Sequence, residues 1–232
     1  MKAMILAAGQ GKRLRPLTER IPKPMVEAGG QSLIAWHIEK LKAIGITSLV
    51  VNGAWLKDVL FEYLGDGSRF GVSIELSPED SEGLETAGGI IKALPLLGSE
   101  PFIVVNGDIF LDSSYDFLLP CPKQLTDRDE HGRLQALAHL YLTSNPAHNT
   151  GGDFAVSADG HMIYGSDYTF SGFAWYHPEA FAGRSVSRQA LRPYFDDWAG
   201  RGLITASVIT SPWFDVGTVE RLQQLNAHLS GR

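Results

Sequence analysis

The sequence predicts an α/β protein built on a doubly wound, mostly parallel sheet. Short apolar runs alternate with amphipathic segments along the first 110 residues, and glycines stand at many of the junctions. Strands that alternate with helices form a largely parallel sheet covered on both faces, as in Rossmann-like proteins. In the second half, strands follow one another more closely, which indicates a β-rich lid and makes the sheet mixed.

The first half reads as β, α, β, α, β, α, β. A short glycine-bounded apolar run predicts each strand, and apolar residues at helical spacing predict each helix. Ser32 is the expected cap of the first helix and Gly45 its stop. The predicted strands cover residues 2–8, 49–51, 72–76 and 102–105, and the predicted helices cover 33–44, 56–64 and 88–97.

The second half predicts strands at residues 135–142, 154–156, 162–164, 169–176 and 203–209. Ser187 is the expected cap of a helix that reaches Trp198, and a last helix covers 219–229. Neither a repeat nor a low-complexity linker interrupts the chain. We therefore expect residues 1–232 to form one domain with halves of about 1–110 and 111–232.

The composition limits the kinds of partner that the protein can be expected to bind. The 232 residues carry a net charge of -6, which argues against general affinity for nucleic acid or anionic membranes. No apolar run reaches the roughly 18 residues that a membrane span needs. The single cysteine, Cys121, cannot form an internal disulfide, which fits a reducing compartment. We expect a cytoplasmic protein with small-molecule partners, either a monomer or a small homo-oligomer.

A glycine-rich loop with cations follows the first strand. Six of the 20 basic residues lie within the first 23 positions, where Glu19 is the one acid. Glycines in Gly9-Gln10-Gly11 let backbone N–H groups approach an anion, and Arg13 and Lys23 supply charge. Spacing excludes both a P-loop and a dinucleotide fingerprint, which needs glycine where Leu14 stands. The loop therefore predicts a polyphosphate site.

Two aspartates could share a metal ion. Asp108 follows the strand at 102–105 in Asn106-Gly107-Asp108, at the edge where open α/β sheets bind ligands. Asp215 follows the aromatic pair Trp213-Phe214 near the start of the last helix. If both lie on one rim, they can ligate one Mg²⁺ whose other ligands are water and phosphate oxygens.

These motifs together resemble the sugar-1-phosphate nucleotidylyltransferase family. The resemblance rests on LAAGQGKRLRPLT followed by PKP, on NGD at 106–108 and on WFDVGT at 213–218. It implies the nucleotidyltransferase fold, with the first half binding nucleotide and the lid binding sugar.

The same resemblance implies a role for each matching residue. It makes Arg13 and Lys23 catalytic and assigns Mg²⁺ to Asp108 and Asp215. Nucleotide binding is implied for Ala7, Ala8, Gly9, Gly11, Arg13, Lys23, Thr86 and Gly88, and sugar-phosphate binding for Asn106, Gly152, Asp153 and Gly172.

Two longer stretches resemble the muramate branch of this family. They are NGDIFLDSSYDF and HLYLTSNPAHNTGGDF, and they imply transfer of UMP from UTP to N-acetylmuramate α-1-phosphate in peptidoglycan recycling. Other pairs stay open, namely heptose or mannose 1-phosphate with GTP, glucose 1-phosphate with dTTP, and phosphocholine with CTP. A catalytically silent nucleotide-binding module is a further alternative, and a dehydrogenase is the least favoured.

Overall fold

A computed structural model describes residues 1–231, and a nine-stranded mixed sheet forms its centre. The strands are β1 Ala3–Leu6, β2 Glu27–Ala28, β3 Gln31–Ser32, β4 Ser48–Gly53, β5 Ser73–Pro78, β6 Phe102–Asn106, β7 Ile109–Leu111, β8 Ala138–Ser144, β9 Phe154–Val156, β10 Met162–Tyr164, β11 Tyr168–Tyr176, β12 Ile204–Val208 and β13 Trp213–Asp215. The helices are α1 Leu33–Ala43, α2 Lys57–Leu64, α3 Glu85–Leu97, α4 Arg192–Gly200 and α5 Val219–Ser230.

The parallel part of the sheet has the order β5, β4, β1, β6. The chain winds outward from β1 to β5 and then crosses back to β6 on the other side of β1. This reversal leaves a crevice beside the carboxyl ends of β1 and β6, which is where such sheets bind ligands. Beyond β6, strand β11 is antiparallel, so the predicted mixed sheet is confirmed.

Helices cover both faces of the sheet because the buried strands alternate their side chains. In β1, Ala3 and Ile5 belong to one apolar cluster with α1 and α2, while Met4 belongs to a second cluster with α3 and α4. All three residues have no exposed surface. Strands buried on both faces in this way are typical of doubly wound proteins, and the predicted architecture is confirmed.

The β-rich second half is continuous with the parallel half. Strands β8, β9, β10, β11 and β12 extend the main sheet instead of forming a layer of their own. A separate two-stranded ribbon pairs β13 with β7, and α5 packs beside it through Leu222 and Leu225. This ribbon joins the segment after β6 to the segment before α5.

The predicted start of helix α4 is wrong. Ser187 does not cap a helix, since α4 begins at Arg192. Backbone bonds hold the preceding segment against α3 instead: Gln189 N donates to Leu84 O at 2.9 Å, and Gly88 N donates to Gln189 O at 3.1 Å. These backbone hydrogen bonds hold the segment in a non-helical conformation, although the local sequence resembles a helix cap.

The starts of α1 and α3 can also be compared with the prediction. The predicted cap of α1 is confirmed, because the Ser32 hydroxyl accepts a hydrogen bond from Ala35 N at 3.4 Å. Helix α3 begins at Glu85, three residues before the predicted start.

Within residues 1–231, no helix combines the length and apolar character that crossing a bilayer requires.

Candidate active site

A cavity of about 460 Å³ opens at the carboxyl ends of β1, β4 and β6. It brings together the glycine-rich loop after β1, the turn after β6 and the first turn of α3. Of the residues that the sequence predicts as functional, it is lined by Ala7, Ala8, Gly9, Gly11, Lys23, Thr86, Asn106 and Asp108. Residues far apart in the chain therefore meet at the edge that the sheet topology indicates.

A second cavity, of about 390 Å³, adjoins the first. Its lining includes Arg13, Asp153 and Asp215 among the predicted residues. Asn106 and Asp108 line both cavities. The turn after β6 therefore stands at their junction, where a group held in one cavity can meet a group held in the other.

The glycine-rich loop is held by two hydrogen bonds. Ala7 N donates to the Asn52 side-chain oxygen at 2.8 Å, and the Thr18 hydroxyl donates to Gly11 O at 2.7 Å. Gly11 has a φ of 62°, and a Cβ there would lie 2.8 Å from the Thr18 methyl carbon. Leu14, where the dinucleotide fingerprint needs glycine, is fully buried. The loop thus has a fixed shape of its own.

Lys23 and Asp108 form an ion pair inside the first cavity. The Lys23 ammonium contacts Asp108 Oδ2, and the side chains are 10% and 35% exposed. Gly107 permits this approach: a Cβ there would lie 2.6 Å from Leu6 O and 3.3 Å from the Pro24 ring. The close contact among β1, the Pro22–Pro24 segment and the turn after β6 therefore requires glycine.

Asp215 reaches the junction through the β7–β13 ribbon. Asp215 lies opposite Ile109 in that ribbon, and Val216 N donates to Asp108 O at 2.9 Å. Arg221 Nη1 contacts Asp215 Oδ2 at 2.5 Å, and His148 Nε2 lies 3.3 Å from the same oxygen. The two acids therefore share a cavity, and each uses its Oδ2 atom to hold a cation.

The two carboxylates fit a hard divalent cation that completes its coordination with other oxygens. Residues 1–231 contain no group of three or more His, Cys, Asp or Glu side chains arranged to hold a metal alone. An Mg²⁺ ion commonly binds through one or two carboxylates and substrate phosphates while it keeps several waters. The donor set at the junction matches that pattern.

Three of the predicted glycines lie outside both cavity linings. Gly88 is buried against the segment before α4, where a Cβ would lie 2.2 Å from Ser187 O. A Cβ at Gly152 would lie 2.7 Å from Ser166 O, and one at Gly172 would lie 2.9 Å from the Asn106 side chain. The absence of a side chain at Gly172 thus allows the backbone to pack closely against Asn106.

Asp153 lies in the second cavity with its carboxylate already bonded. Its Oδ2 atom accepts from Phe170 N at 3.0 Å, and its Oδ1 atom accepts from the Asn149 amide at 3.2 Å. The Asn149 amide also donates to the Thr169 hydroxyl at 3.0 Å. Asp153 therefore shapes the wall of this cavity as well as lining it.

Sequence reasoning missed a buried relay between the two loops of the first cavity. The Asn52 amide donates to Glu79 Oε1 at 2.7 Å, and Leu84 N donates to Glu79 Oε2 at 2.7 Å. Glu79 is 1% exposed. It follows β5, so the rule that selected Asp108, an acid just after a strand, would have found it. Through Asn52 the relay also reaches Ala7.

Four more lining or supporting residues were missed. Arg188 and Glu85 line the first cavity, His148 lines the second, and Arg221 supports Asp215 from α5. Arg188 and Arg221 lie outside the motifs that carry the family resemblance, and His148 lies within HLYLTSNPAHNTGGDF but was assigned no role there. These residues reach the site through tertiary contacts, which a local sequence pattern does not predict.

Comparison with known proteins identifies the family to which the chain belongs. The chain belongs to the nucleotidyl transferase family, which matches residues 2–120. A Neisseria meningitidis serogroup B protein, N-acetylmuramate alpha-1-phosphate uridylyltransferase, is 44% identical over 232 residues, and the match covers 98% of this chain and 97% of that protein. The resemblance to sugar-1-phosphate nucleotidyltransferases is thereby confirmed.

Other relatives share part of the chain or the fold. A mannose-1-phosphate guanyltransferase from Gibberella zeae is 39% identical over 122 residues, which cover 51% of this chain and 33% of that protein. A crystal structure from Bacillus anthracis, assigned as a glucose-1-phosphate thymidylyltransferase and determined with sucrose, superposes with a TM-score of 0.82. It is 22% identical and the match covers 99% of this chain and 95% of that one, so it supports the fold.

Proposed function

We propose that this protein transfers UMP from UTP to N-acetylmuramate α-1-phosphate, giving UDP-N-acetylmuramate and pyrophosphate. The observation that carries the proposal is the meeting of Asp108, Asp215 and Lys23 at the junction of the two cavities. Nearly full-length identity of 44% to a protein named for this reaction supports the choice of donor and acceptor.

The reaction is a direct, in-line displacement. An oxygen of the sugar phosphate attacks the α-phosphorus of UTP, the bond from that phosphorus to the bridging oxygen breaks, and pyrophosphate leaves. UTP occupies the first cavity, with its phosphates against the loop Gly9 to Gly11, and the sugar phosphate occupies the second. Catalysis then consists of positioning and of stabilising charge on phosphate oxygens.

Lys23 is the residue best placed to stabilise the transferred phosphoryl group. Its ammonium is nearly buried beside Asp108, so its position is set before substrate binds. Arg13 lines the second cavity, where it can bind phosphate oxygens that enter the junction. Asn106 lines both cavities and can donate hydrogen bonds to the sugar phosphate or to the nucleotide.

Asp108 and Asp215 would hold Mg²⁺. When bound there, Mg²⁺ would neutralise and orient phosphate oxygens of both substrates. Arg221 and His148 hold the Asp215 carboxylate in place at its Oδ2 atom, while Lys23 does the same for Asp108. The protein's contribution is thus a pair of positioned acids in a cavity that also admits the phosphates.

Cys121, His37 and His139 are poorly suited to covalent catalysis. Cys121 lines neither cavity, and burial raises the pKa of its thiol to about 11. Burial lowers the pKa of His37 to about 3 and that of His139 to about 4, so both imidazoles are neutral. This agrees with transfer that needs no enzyme nucleophile.

We further propose that residues 1–232 work as one catalytic domain in the cytoplasm, where the product would return muramate to peptidoglycan synthesis. Small substrates, an acidic net charge of -6 and one half-buried cysteine all suit that setting. The protein would act as a monomer or a small homo-oligomer.

A screen of pyrophosphate release tests the reaction. The protein is incubated with Mg²⁺ and each of UTP, GTP, CTP, dTTP and ATP, against N-acetylmuramate α-1-phosphate, mannose, heptose and glucose 1-phosphates, and phosphocholine. We expect the highest rate with UTP and the muramate phosphate, and we expect the rate to vanish when EDTA removes the metal.

The partial match to mannose-1-phosphate guanyltransferases favours GTP with mannose 1-phosphate as the second candidate. A higher rate with that pair would replace the proposed substrates while leaving the reaction class intact. Nucleotide binding without pyrophosphate release for any pair would identify a silent binding module and overturn the proposal.

A further inference from the structure

An ion pair between distant residues forms one wall of the first cavity. Arg188 Nε lies 2.9 Å from Glu85 Oε1, and the two residues are 103 positions apart. Both line the first cavity together with Glu82, Gly83 and Thr86, and neither lines the second cavity, which contains Asp215. If phosphates lie along the loop toward the junction, this wall faces the nucleoside end of the nucleotide.

The backbone of Glu85 is strained. Its φ is 59°, in the left-handed region that disfavours residues with a side chain. The Glu85 and Arg188 side chains are 43% and 61% exposed, and an ion pair that exposed contributes little stability. The pair therefore does not offset the strain of a non-glycine residue at this position, and such outliers concentrate at functional sites.

The segment that carries Arg188 is firmly attached to α3. Besides the two backbone bonds between Gln189 and the first turn of α3, the Tyr194 hydroxyl donates to Gln189 Oε1 at 2.6 Å. The Gln189 amide donates to Ser185 O and to the Ser187 hydroxyl, both at 2.8 Å. Gly88 seats this segment, since no Cβ fits there. Arg188 is thus held at the cavity by a braced segment.

We propose that the Glu85–Arg188 ion pair sets the base preference of the nucleotide cavity, selecting uracil over guanine. The inference rests on the proposed function for the identity of the favoured nucleotide. It assigns to the two residues a role in specificity, and it leaves the chemistry to the junction of the cavities.

The physical reason is the set of hydrogen-bonding atoms that the pair presents. Uracil offers two carbonyl oxygens on either side of one N–H, which suits guanidinium donors beside a single carboxylate oxygen. Guanine offers adjacent N–H donors that a carboxylate can bind with both oxygens. Because Arg188 occupies Oε1 of Glu85, that two-oxygen contact is blocked.

The test measures kcat/KM for UTP and for GTP with one sugar phosphate, and the Kd of each nucleotide by calorimetry without sugar phosphate. The variants are Arg188→Ala and Glu85→Gly. Arg188→Lys is the conservative variant, which keeps the positive charge but loses the planar N–H donors of the guanidinium. Arg192→Ala is the matched control, because Arg192 lies four positions after Arg188 in the chain, pairs with Asp196 and lines neither cavity.

We expect Arg188→Ala and Glu85→Gly each to reduce the preference for UTP over GTP by about tenfold or more, since a polar group left unpaired or a wall removed has effects of this size. Arg188→Lys should lose part of the preference, and Arg192→Ala should keep it. The effect should appear in the ratio of the two nucleotides, which a merely structural role would leave unchanged.

Failure of this inference differs from failure of the proposed function. A wild-type ratio that survives within twofold in both variants overturns the role of the pair, even if UMP transfer is confirmed. Equal or tighter wild-type binding of GTP also overturns it. If UTP binds preferentially but no acceptor reacts, UMP transfer fails, and loss of that preference in the variants still supports the pair.

Discussion

The partly buried Lys23–Asp108 ion pair leads to a prediction that separates stability from activity. Lys23 is the more buried partner, with a side chain 10% exposed against 35% for Asp108. Asp108→Ala leaves a buried ammonium without its partner, and breaking a buried pair in this way costs roughly 3 kcal/mol or more. Lys23→Met keeps an apolar stem in the same space and leaves a carboxylate that water can reach, so we expect a cost below about 1 kcal/mol.

Both substitutions should nevertheless reduce kcat by about 100-fold to 1,000-fold, because Lys23 would stabilise phosphate charge directly and Asp108 would do so through the Mg²⁺ that it holds. For a chain of this size, 3 kcal/mol corresponds to a fall in Tm of roughly 6–12 °C, whereas Lys23→Met should change Tm by about 4 °C at most.

Urea denaturation, thermal melts and pyrophosphate release measure the two effects. Lys42→Met is the matched control, since the Lys42 ammonium donates to Phe70 O on the surface and should alter neither property. The reasoning is refuted if Lys23→Met destabilises the fold as much as Asp108→Ala, or if Lys23→Met retains kcat within tenfold of the wild type.

Three further predictions follow from contacts around the site and core. Gly107→Ala forces a Cβ to within 2.6 Å of Leu6 O, so we expect a loss of roughly 1–3 kcal/mol in urea melts and a lower kcat; wild-type values for both would contradict the packing described for this turn. Glu79→Gln keeps only one acceptor oxygen, so either Leu84 N or the Asn52 amide loses its acceptor, and the substitution should cost about 1–3 kcal/mol and raise KM for UTP at least about tenfold. Half-exposed Glu75→Gln is the control, and an unchanged KM in Glu79→Gln would show that the relay does not position the cavity loops. The pKa values of His37 and His139 lie below the unfolded value of 6.5 because of burial, so the unfolded chain binds more protons and the free energy of unfolding falls between pH 7 and pH 5, by about 2 kcal/mol for each histidine. His139→Gln should remove about half of this loss and exposed His131→Gln none of it, and an unaltered pH dependence in His139→Gln would be inconsistent with a buried neutral imidazole.

Periodicity was enough to predict the fold because its signal is local. The alternation seen in Ala3, Met4 and Ile5 and the helical spacing in α1 report which face of each element is buried, and a window of a few residues contains that information. Ser187 shows the limit of such windows: the capping pattern was present, yet backbone pairing of Gln189 with Leu84 occupied the segment.

The types of residue found at the ends of the strands predicted much of the candidate site. The glycine-rich loop, Lys23, Asp108 and Asp215 were all selected from residue type and position, and the structure brings them to adjoining cavities. Gly88 and Gly152 were selected too, but close packing explains these glycines better than exposure to a ligand does. A glycine in a motif can permit contact with protein as well as with substrate.

The sequence by itself determined the alternation of strands and helices in the first half of the chain, the glycine-rich loop after β1, and the candidate acids Asp108 and Asp215, since each depends on neighbours within one turn or one strand. Only the tertiary structure decided that Asp215 meets Asp108, through a ribbon between β7 and β13, and that Glu79 links the two loops of the first cavity. It also decided that Arg188 reaches Glu85 across 103 positions. Such contacts depend on sheet register and on how segments pack over one another, and these are properties of the whole chain that no local pattern records.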